Sequence, residues 1–370
     1  MTRLGVGIVG YGMMGRAHTY AYRAAASLRP GDVELVPVAM SGRDSARLAA
    51  VAGPLGLATE SDWRALIERP DVDVVAICSP PGSHLEAIAA AAAAGKDVVC
   101  EKPLAVTLGD ALTARDAVVD AGVRHAVGFN YRRLPALALM AELVTAGELG
   151  EVRLFRATWL SDEFVDPAVV FDWRFERAAG GTTIADLGSH LVDLATFMIG
   201  PVASVCADSV TFVAERSTPS GPRAVEVDDA SAALLRFASG ARGTLEVARA
   251  APRRPCDFVV EVNGDRGTAV FDYARLNELC VGSTDDDPHL YGLTRVRAEH
   301  PSHPETAGWW PIGQGVGYDA SLINQAADLA AGWGSRNWVP DFFQGARVAA
   351  VCAAMEESVA RRGWVEVAQV

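Results

Sequence analysis

Lysine is nearly absent. Among 370 residues only Lys96 and Lys102 carry an ammonium, and every other Lys/Arg position is arginine. A chain that writes arginine for its surface cations keeps lysine where a compact, titratable charge differs from a planar, permanent one. Long apolar runs are missing as well: none reaches the roughly 18 uncharged residues of a membrane span. The opening MTRLGVGIVGYG is apolar only for the length of a strand and then runs into glycines, unlike a signal peptide. The six cysteines (Cys78, Cys100, Cys206, Cys256, Cys280 and Cys352) include no CxxC pair and no dense framework. That excludes a disulfide scaffold and leads us to expect buried, reduced thiols in a cytoplasmic protein. Excess positive charge is also lacking. The formal net charge is -13 with the acids dispersed, which excludes nucleic acid and membrane surfaces as main partners. What remains is a length suited to two domains and a half-apolar composition typical of soluble enzymes.

Residues 1–130 alternate strand-like and helix-like segments. Strands are expected at 4–10, 33–40, 73–79, 97–100 and 124–130, with helices between them. Several of these strands are apolar on both faces, which specifies a parallel sheet covered on both sides, a doubly wound α/β domain. From 131 to 370 the texture changes to longer strands of period two, with hairpin turns at Ser239-Gly240 and Asn263-Gly264-Asp265. Such a pattern predicts a large, open, mostly antiparallel sheet with one face on helices and one face usable for association. The chain closes with an amphipathic helix over 344–361.

The first chemical motif is Gly10-Tyr11-Gly12-Met13-Met14-Gly15, directly after the first strand and opening the first helix. Gly10 allows a tight turn, Gly12 lets the backbone approach a pyrophosphate, and Gly15 lets helix pack on strand; Tyr11, Met13 and Met14 line the same cradle. At the end of the second strand an acid would hold the ribose 2′-hydroxyl of NAD. Here the residues are Met40-Ser41-Gly42-Arg43-Asp44, so Ser41 and Arg43 favour the 2′-phosphate of NADP, while Asp44 suits a helix cap. SPPGSH (79–84) ends the third strand, where open sheets bind ligands, and places Ser79, Pro80 and His84 beside the cofactor. CEKPL (100–104) ends the fourth strand on the same edge. Lys102 there can polarise a substrate oxygen, with Pro103 restricting its conformation and Glu101 available for cofactor contact or charge balance.

The second cluster is GGTTIADLGSHLVD (180–193). Asp186 and His190 are four apart, so on a helix they share a face, as a carboxylate-tuned acid/base unit requires. Two blander readings stay open: a helix cap with a core histidine, or a pair of metal ligands. A metal site needs a third protein ligand and none is nearby in sequence, so no metal is expected.

Taken in order, GIVGYGMMGRAH, SPPGSH, EKP, GFNYRR and DWRFE…GGTTIADLGSHLVD resemble the Gfo/Idh/MocA family of NAD(P)-dependent oxidoreductases. The resemblance implies a Rossmann domain followed by an α/β domain whose open sheet forms homodimers or homotetramers. It implies that Lys102, Asp186 and His190 act together on a ring secondary alcohol of a sugar or cyclitol while hydride passes to NAD or NADP. Arg132, Arg133, Trp159, Asp162, Arg174 and Thr183 are the substrate contacts it suggests. Two other functions fit the same scaffold: a redox-neutral glycosidase or isomerase with tightly bound cofactor, and a non-catalytic nucleotide sensor.

Overall fold

The computed structural model describes residues 2–333 and 339–370. The chain forms two compact units. One runs to Arg133 and takes in Tyr318–Ala349; the other comprises Leu134–Gly317 and Ala350–Gln369. The first unit's main segment ends three residues past the division expected after 130, and a later segment joins the same unit.

The first unit is built on β1 (Thr2–Val9), α1 (Met13–Leu28), β2 (Val33–Ser41), α2 (Ser45–Ala52), β3 (Ala58–Glu60), α3 (Trp63–Glu68), β4 (Val74–Ile77), α4 (His84–Ala93), β5 (Asp97–Cys100), α5 (Leu108–Ala121) and β6 (His125–Val127). The strands pair in parallel in the order β3-β2-β1-β4-β5-β6. The order reverses between β1 and β4, which opens the crevice where such sheets bind ligands. Every residue of β4 is buried, as the unbroken VVAI run requires of a central strand. Polar caps delimit the helices. The Asp44 carboxylate accepts from Ala46 N and Arg47 N at the start of α2, and Thr107 caps α5, which ends at the left-handed Gly122.

The second unit begins with α6 (Pro135–Thr145) and β7 (Val152–Leu160). A π-helical turn (Ile184–Gly188) leads straight into α7 (Ser189–Met198). Then come β8 (Val202–Val210), the small hairpin β9 (Glu215–Thr218) and β10 (Gly221–Ala224), β11 (Ala230–Phe237), β12 (Arg242–Ala248), β13 (Asp257–Gly264), β14 (Gly267–Asp272), β15 (Glu278–Ser283) and β16 (Thr294–Arg297). After the Gly/Pro-rich loop, α8 (Asp319–Ala330) packs on α1 in the first unit, and α9 (Phe342–Arg361) precedes β17 (Val365–Glu366). The large sheet runs β16-β15-β14-β13-β7-β12-β11-β8-β17. Only β7 and β12 pair in parallel. Along β11 buried and exposed residues alternate strictly, so one face is core and the other is open. The open face carries Leu154, Leu234 and Trp364, with Arg236 over the Trp364 ring.

All six cysteines are free, but only Cys100 is fully buried; the other five keep partial exposure. Among the described residues no helix is long and apolar enough to cross a membrane.

Candidate active site

In the first unit the three motif glycines each have a separate geometric reason. Gly10 has φ +107°, and a Cβ there would stand 2.9 Å from the Cys78 carbonyl oxygen, so the turn closes on the end of β4. A Cβ on Gly15 would fall 2.0 Å from the Gly10 oxygen, which seats α1 on the turn. At Gly12 a Cβ would meet nothing within 4 Å. Gly12 is the N-cap of α1, has no side-chain cap bond, and no acid lies in the first turn. This open helix terminus, free of its own anion, fits a dinucleotide pyrophosphate. Met13 is exposed beside it and Met14 half-buried. The Tyr11 ring lies against Gly42, where a Cβ would come within 2.1 Å of it.

At the end of β2, Ser41 is buried; its carbonyl accepts from Gly10 N at 3.0 Å, and its Oγ has no partner among the described residues. Arg43 is exposed. After β4, Ser79 Oγ meets Ser83 Oγ at 2.8 Å, and Ser83 turns back to the Pro80 carbonyl, so it does not cap α4 with its side chain. Pro80 is exposed. His84, expected beside the cofactor, is fully buried. Its Nδ1 faces the Pro103 carbonyl at 3.0 Å and its Nε2 the Ser79 carbonyl at 2.8 Å. It is a strut between the two loops, and desolvation pushes its pKa below the ordinary value, with the carbonyl bonds opposing.

Lys102 is half-buried at the carboxyl edge of β5, and the Lys102–Pro103 peptide bond is cis. The preceding Glu101 is buried and turned inward to His18 of α1, with Nε2 to Oε1 at 2.7 Å. Its carboxylate thus braces the loop from behind.

The two arginines expected at the substrate lie in the short turn after β6. Arg132 and Arg133 are both buried. Arg133 pairs with Asp328 of α8 at 3.0 Å, and Asn324 Nδ2 donates to the Arg133 carbonyl at 2.9 Å. A guanidinium taken out of water needs such a partner, and α8 supplies it.

In the second unit Asp186 lies in the π-helical turn and His190 in the first turn of α7. The regular α-helix expected over these residues is therefore interrupted. A π turn widens the step, yet residues four apart still share a face, and such turns recur at functional sites. His190 is buried, and the Trp159 ring of β7 lies 5.4 Å from it at 30°, itself stacked on Phe258. Asp186 faces Arg249, with Nη1 to Oδ2 at 3.6 Å; this guanidinium has 0 % exposure and also donates to the Asp228 carbonyl at 3.0 Å. Thr183, expected at the substrate, is fully buried. Its N–H donates to Asp228 Oδ1 at 3.2 Å, and its hydroxyl is shared between the Asp228 carboxylate and Ser231 Oγ. Thr183 therefore anchors the turn and does not present its hydroxyl outward. Asp162 and Arg174 remain partly exposed, Arg174 bonded to Asp172 at 3.2 Å.

Three residues of this neighbourhood escaped the sequence reading. Arg249 follows β12 just where the alternation of buried and exposed positions breaks, which is a readable signal. Glu163 follows Asp162 and is held above the usual carboxylate range by desolvation, with Asp186 adding repulsion and Arg174 opposing. Asp193 is buried one turn after His190. Among the described residues no group of three His, Cys, Asp or Glu is placed to hold a metal ion.

Two family profiles match in tandem. One is described as an oxidoreductase family with an NAD-binding Rossmann fold and covers residues 4–129; the other is the GFO/IDH/MocA C-terminal domain and covers residues 137–270. The chain is 36% identical to levoglucosan dehydrogenase of Pseudarthrobacter phenanthrenivorans over 100% of both sequences. It is 32% identical to myo-inositol 2-dehydrogenase of Thermotoga maritima, over 76% of this chain and 78% of that one. The solved structure of levoglucosan dehydrogenase in complex with NADH and L-sorbose superposes with a TM-score of 0.95 at 36% identity, covering 100% of both chains. An oxidoreductase domain protein from Kribbella flavida gives 0.95 at 39%, again over 100% of both. With the Rossmann strand order, the open glycine turn and these matches, the chain belongs to the Gfo/Idh/MocA oxidoreductase family and is an NAD(P)-dependent dehydrogenase acting on CH–OH groups.

Proposed function

We propose that the enzyme oxidises a ring secondary alcohol of a sugar, an anhydro-sugar or a cyclitol to the ketone, or runs the reverse reduction. The observation that carries this is the bracing of the lone active-edge lysine: Glu101 and His84 hold the loop on both sides of Lys102, which is half-buried at the edge of β5. The names of the relatives, dehydrogenases of levoglucosan and of myo-inositol, support a polyhydroxylated ring as substrate.

The backbone around Gly12 and the N-terminus of α1 would hold the pyrophosphate of a nicotinamide dinucleotide, which when bound would supply the hydride acceptor or donor. Lys102 donates a hydrogen bond to the reacting oxygen and stabilises the alkoxide charge that develops there. A ring nitrogen of His190 takes the hydroxyl proton. Asp186, itself held by Arg249, supplies the charge that tunes the histidine. The Trp159 face beside His190 gives a sugar ring an apolar wall, and Asp162 and Arg174 offer polar contacts to the remaining hydroxyls.

Of the two nicotinamide cofactors, NADP is preferred over NAD. The one carboxylate at the end of β2, Asp44, is engaged in capping α2, while Arg43 is exposed and suited to a 2′-phosphate. The open face of the nine-stranded sheet, with Leu234 51 % exposed, supports association into a homodimer or homotetramer. A panel of sugars, anhydro-sugars and cyclitols, each with NAD and NADP and followed at the nicotinamide absorbance, tests the reading. Turnover of at least one ring alcohol is expected, and none across the panel would refute it.

A further inference from the structure

We propose that His18 and Glu101 are positioning residues for Lys102, linking the helix that opens the cofactor cradle to the peptide of the catalytic lysine. The inference rests on the reading of Lys102 as catalytic. Three hydrogen bonds form the link. Tyr22 Oη lies 3.1 Å from His18 Nδ1, His18 Nε2 lies 2.7 Å from Glu101 Oε1, and the Lys102 N–H donates to Glu101 Oε2 at 3.3 Å. A carboxylate oxygen accepts, so Nε2 donates to Glu101, and Nδ1 shares the remaining contact with the tyrosine hydroxyl. Tyr22 keeps its hydroxyl proton: burial, then Cys78 and Glu101, push its pKa well above the ordinary value.

The link has little slack. His18 is 2 % and Glu101 5 % exposed. A Cβ on Gly128 would stand 2.7 Å from Glu101 Oε1, so the end of β6 packs against the carboxylate, and Gly128 N is itself bonded to the Cys100 carbonyl at 2.8 Å. Burying a carboxylate costs several kcal/mol unless it is paired, and an apolar side chain would fill the same space more cheaply. What an apolar residue cannot do is accept from two donors on two elements at once. Glu101 takes one bond from α1 and one from the lysine it precedes, so the position of the Lys102 peptide follows the position of α1. The same helix begins at Gly12, where a dinucleotide pyrophosphate fits. Cofactor seating and lysine placement thereby share one rigid element.

Three variants of the full-length enzyme test this: His18→Leu, His18→Gln and Glu101→Gln. A glutamine at 18 still donates toward Glu101, whereas a leucine does not. A glutamine at 101 has one acceptor oxygen where two donors arrive, so one of the bonds is lost. His18→Leu and Glu101→Gln are expected to lower kcat about 10- to 100-fold, as a misplaced catalytic group does. KM and the cofactor dissociation constant, read by nicotinamide fluorescence, stay near wild type, and His18→Gln recovers most of kcat. Wild-type kcat in Glu101→Gln, or His18→Gln as impaired as a folded His18→Leu, overturns the inference. Should His18→Leu fail to fold, Glu101→Gln and His18→Gln decide alone. Lys102→Ala is measured alongside. Full activity there refutes the catalytic reading itself, whereas an inactive Lys102→Ala beside a normal Glu101→Gln refutes only the link.

Discussion

Replacing Gly12 and Gly15 by alanine separates binding from folding within one turn. At Gly15 the new methyl would sit 2.0 Å from the Gly10 oxygen and 3.0 Å from its carbon. These are backbone atoms of a turn already closed on Cys78, so α1 must move by more than an ångström. Overpacking of this kind costs about 1–3 kcal/mol, which for a protein of this size lowers Tm by about 1–4 °C. At Gly12 the backbone is at φ -68° and ψ -165°, open to alanine, and a Cβ meets nothing within 4 Å. The Tm of the cofactor-free Gly12→Ala protein should therefore stay within about 0.5 °C of wild type. Its methyl, however, holds a pyrophosphate away from the backbone N–H groups, so the cofactor dissociation constant should rise at least about tenfold, or about 1.4 kcal/mol. Differential scanning fluorimetry without cofactor and a fluorescence titration with it give both numbers. Gly12→Ala with wild-type affinity would refute the assignment of the open helix terminus to the pyrophosphate. An unaltered Tm in Gly15→Ala would refute the packing argument.

Other outcomes follow from the same geometry. Asp328→Asn removes a carboxylate paired with the Arg133 guanidinium, which is 1 % exposed, and urea unfolding should show a loss of about 3–5 kcal/mol; less than 1 kcal/mol would mean the pair is not buried as described. His84 has a folded pKa below its unfolded value of about 6.5. As pH falls below that value the unfolded chain takes up a proton that the folded one refuses, so stability is full above it and declines toward the folded pKa. His84→Gln should flatten the fall in urea midpoint between pH 7 and pH 5 (about the range in which histidine titrates), and an unchanged slope would contradict the buried, neutral strut. Arg43→Ala should weaken NADP about tenfold, the worth of one charge-assisted bond, and NAD hardly at all; equal changes would remove Arg43 from cofactor choice.

The parallel sheet was readable because VVAI and DVVC have no polar alternates, and only a strand covered on both faces tolerates that. The antiparallel sheet announced itself through polar residues at alternate positions in strands such as RGTLEV, whereas β11 alternates in burial but not in residue type. Helix α8 was illegible for the opposite reason. It is buried nearly all round, and Asn324 and Asp328 sit inside it because Arg133 needs them. One chain of partners thus hid both the helix and the pairing of Arg133. Lys102, Asp186 and His190 stood out by residue type and spacing, but spacing could not show the π turn or the guanidinium of Arg249. Glu101 was read as a cofactor neighbour because its partner, His18, lies 83 positions earlier in the chain. Long-range pairing of this sort leaves no local pattern, and the bonding of Thr183 to Asp228, 45 positions away, was illegible on the same ground.

The central claim is that Lys102 and His190 perform proton and charge management during hydride transfer from a ring alcohol. Steady-state turnover of Lys102→Ala and His190→Ala, on the ring alcohol that the wild-type enzyme oxidises fastest, tests it most directly. The expected result is a fall in kcat of about 10²- to 10⁴-fold in each, with cofactor affinity near wild type. Wild-type turnover in either variant would contradict it.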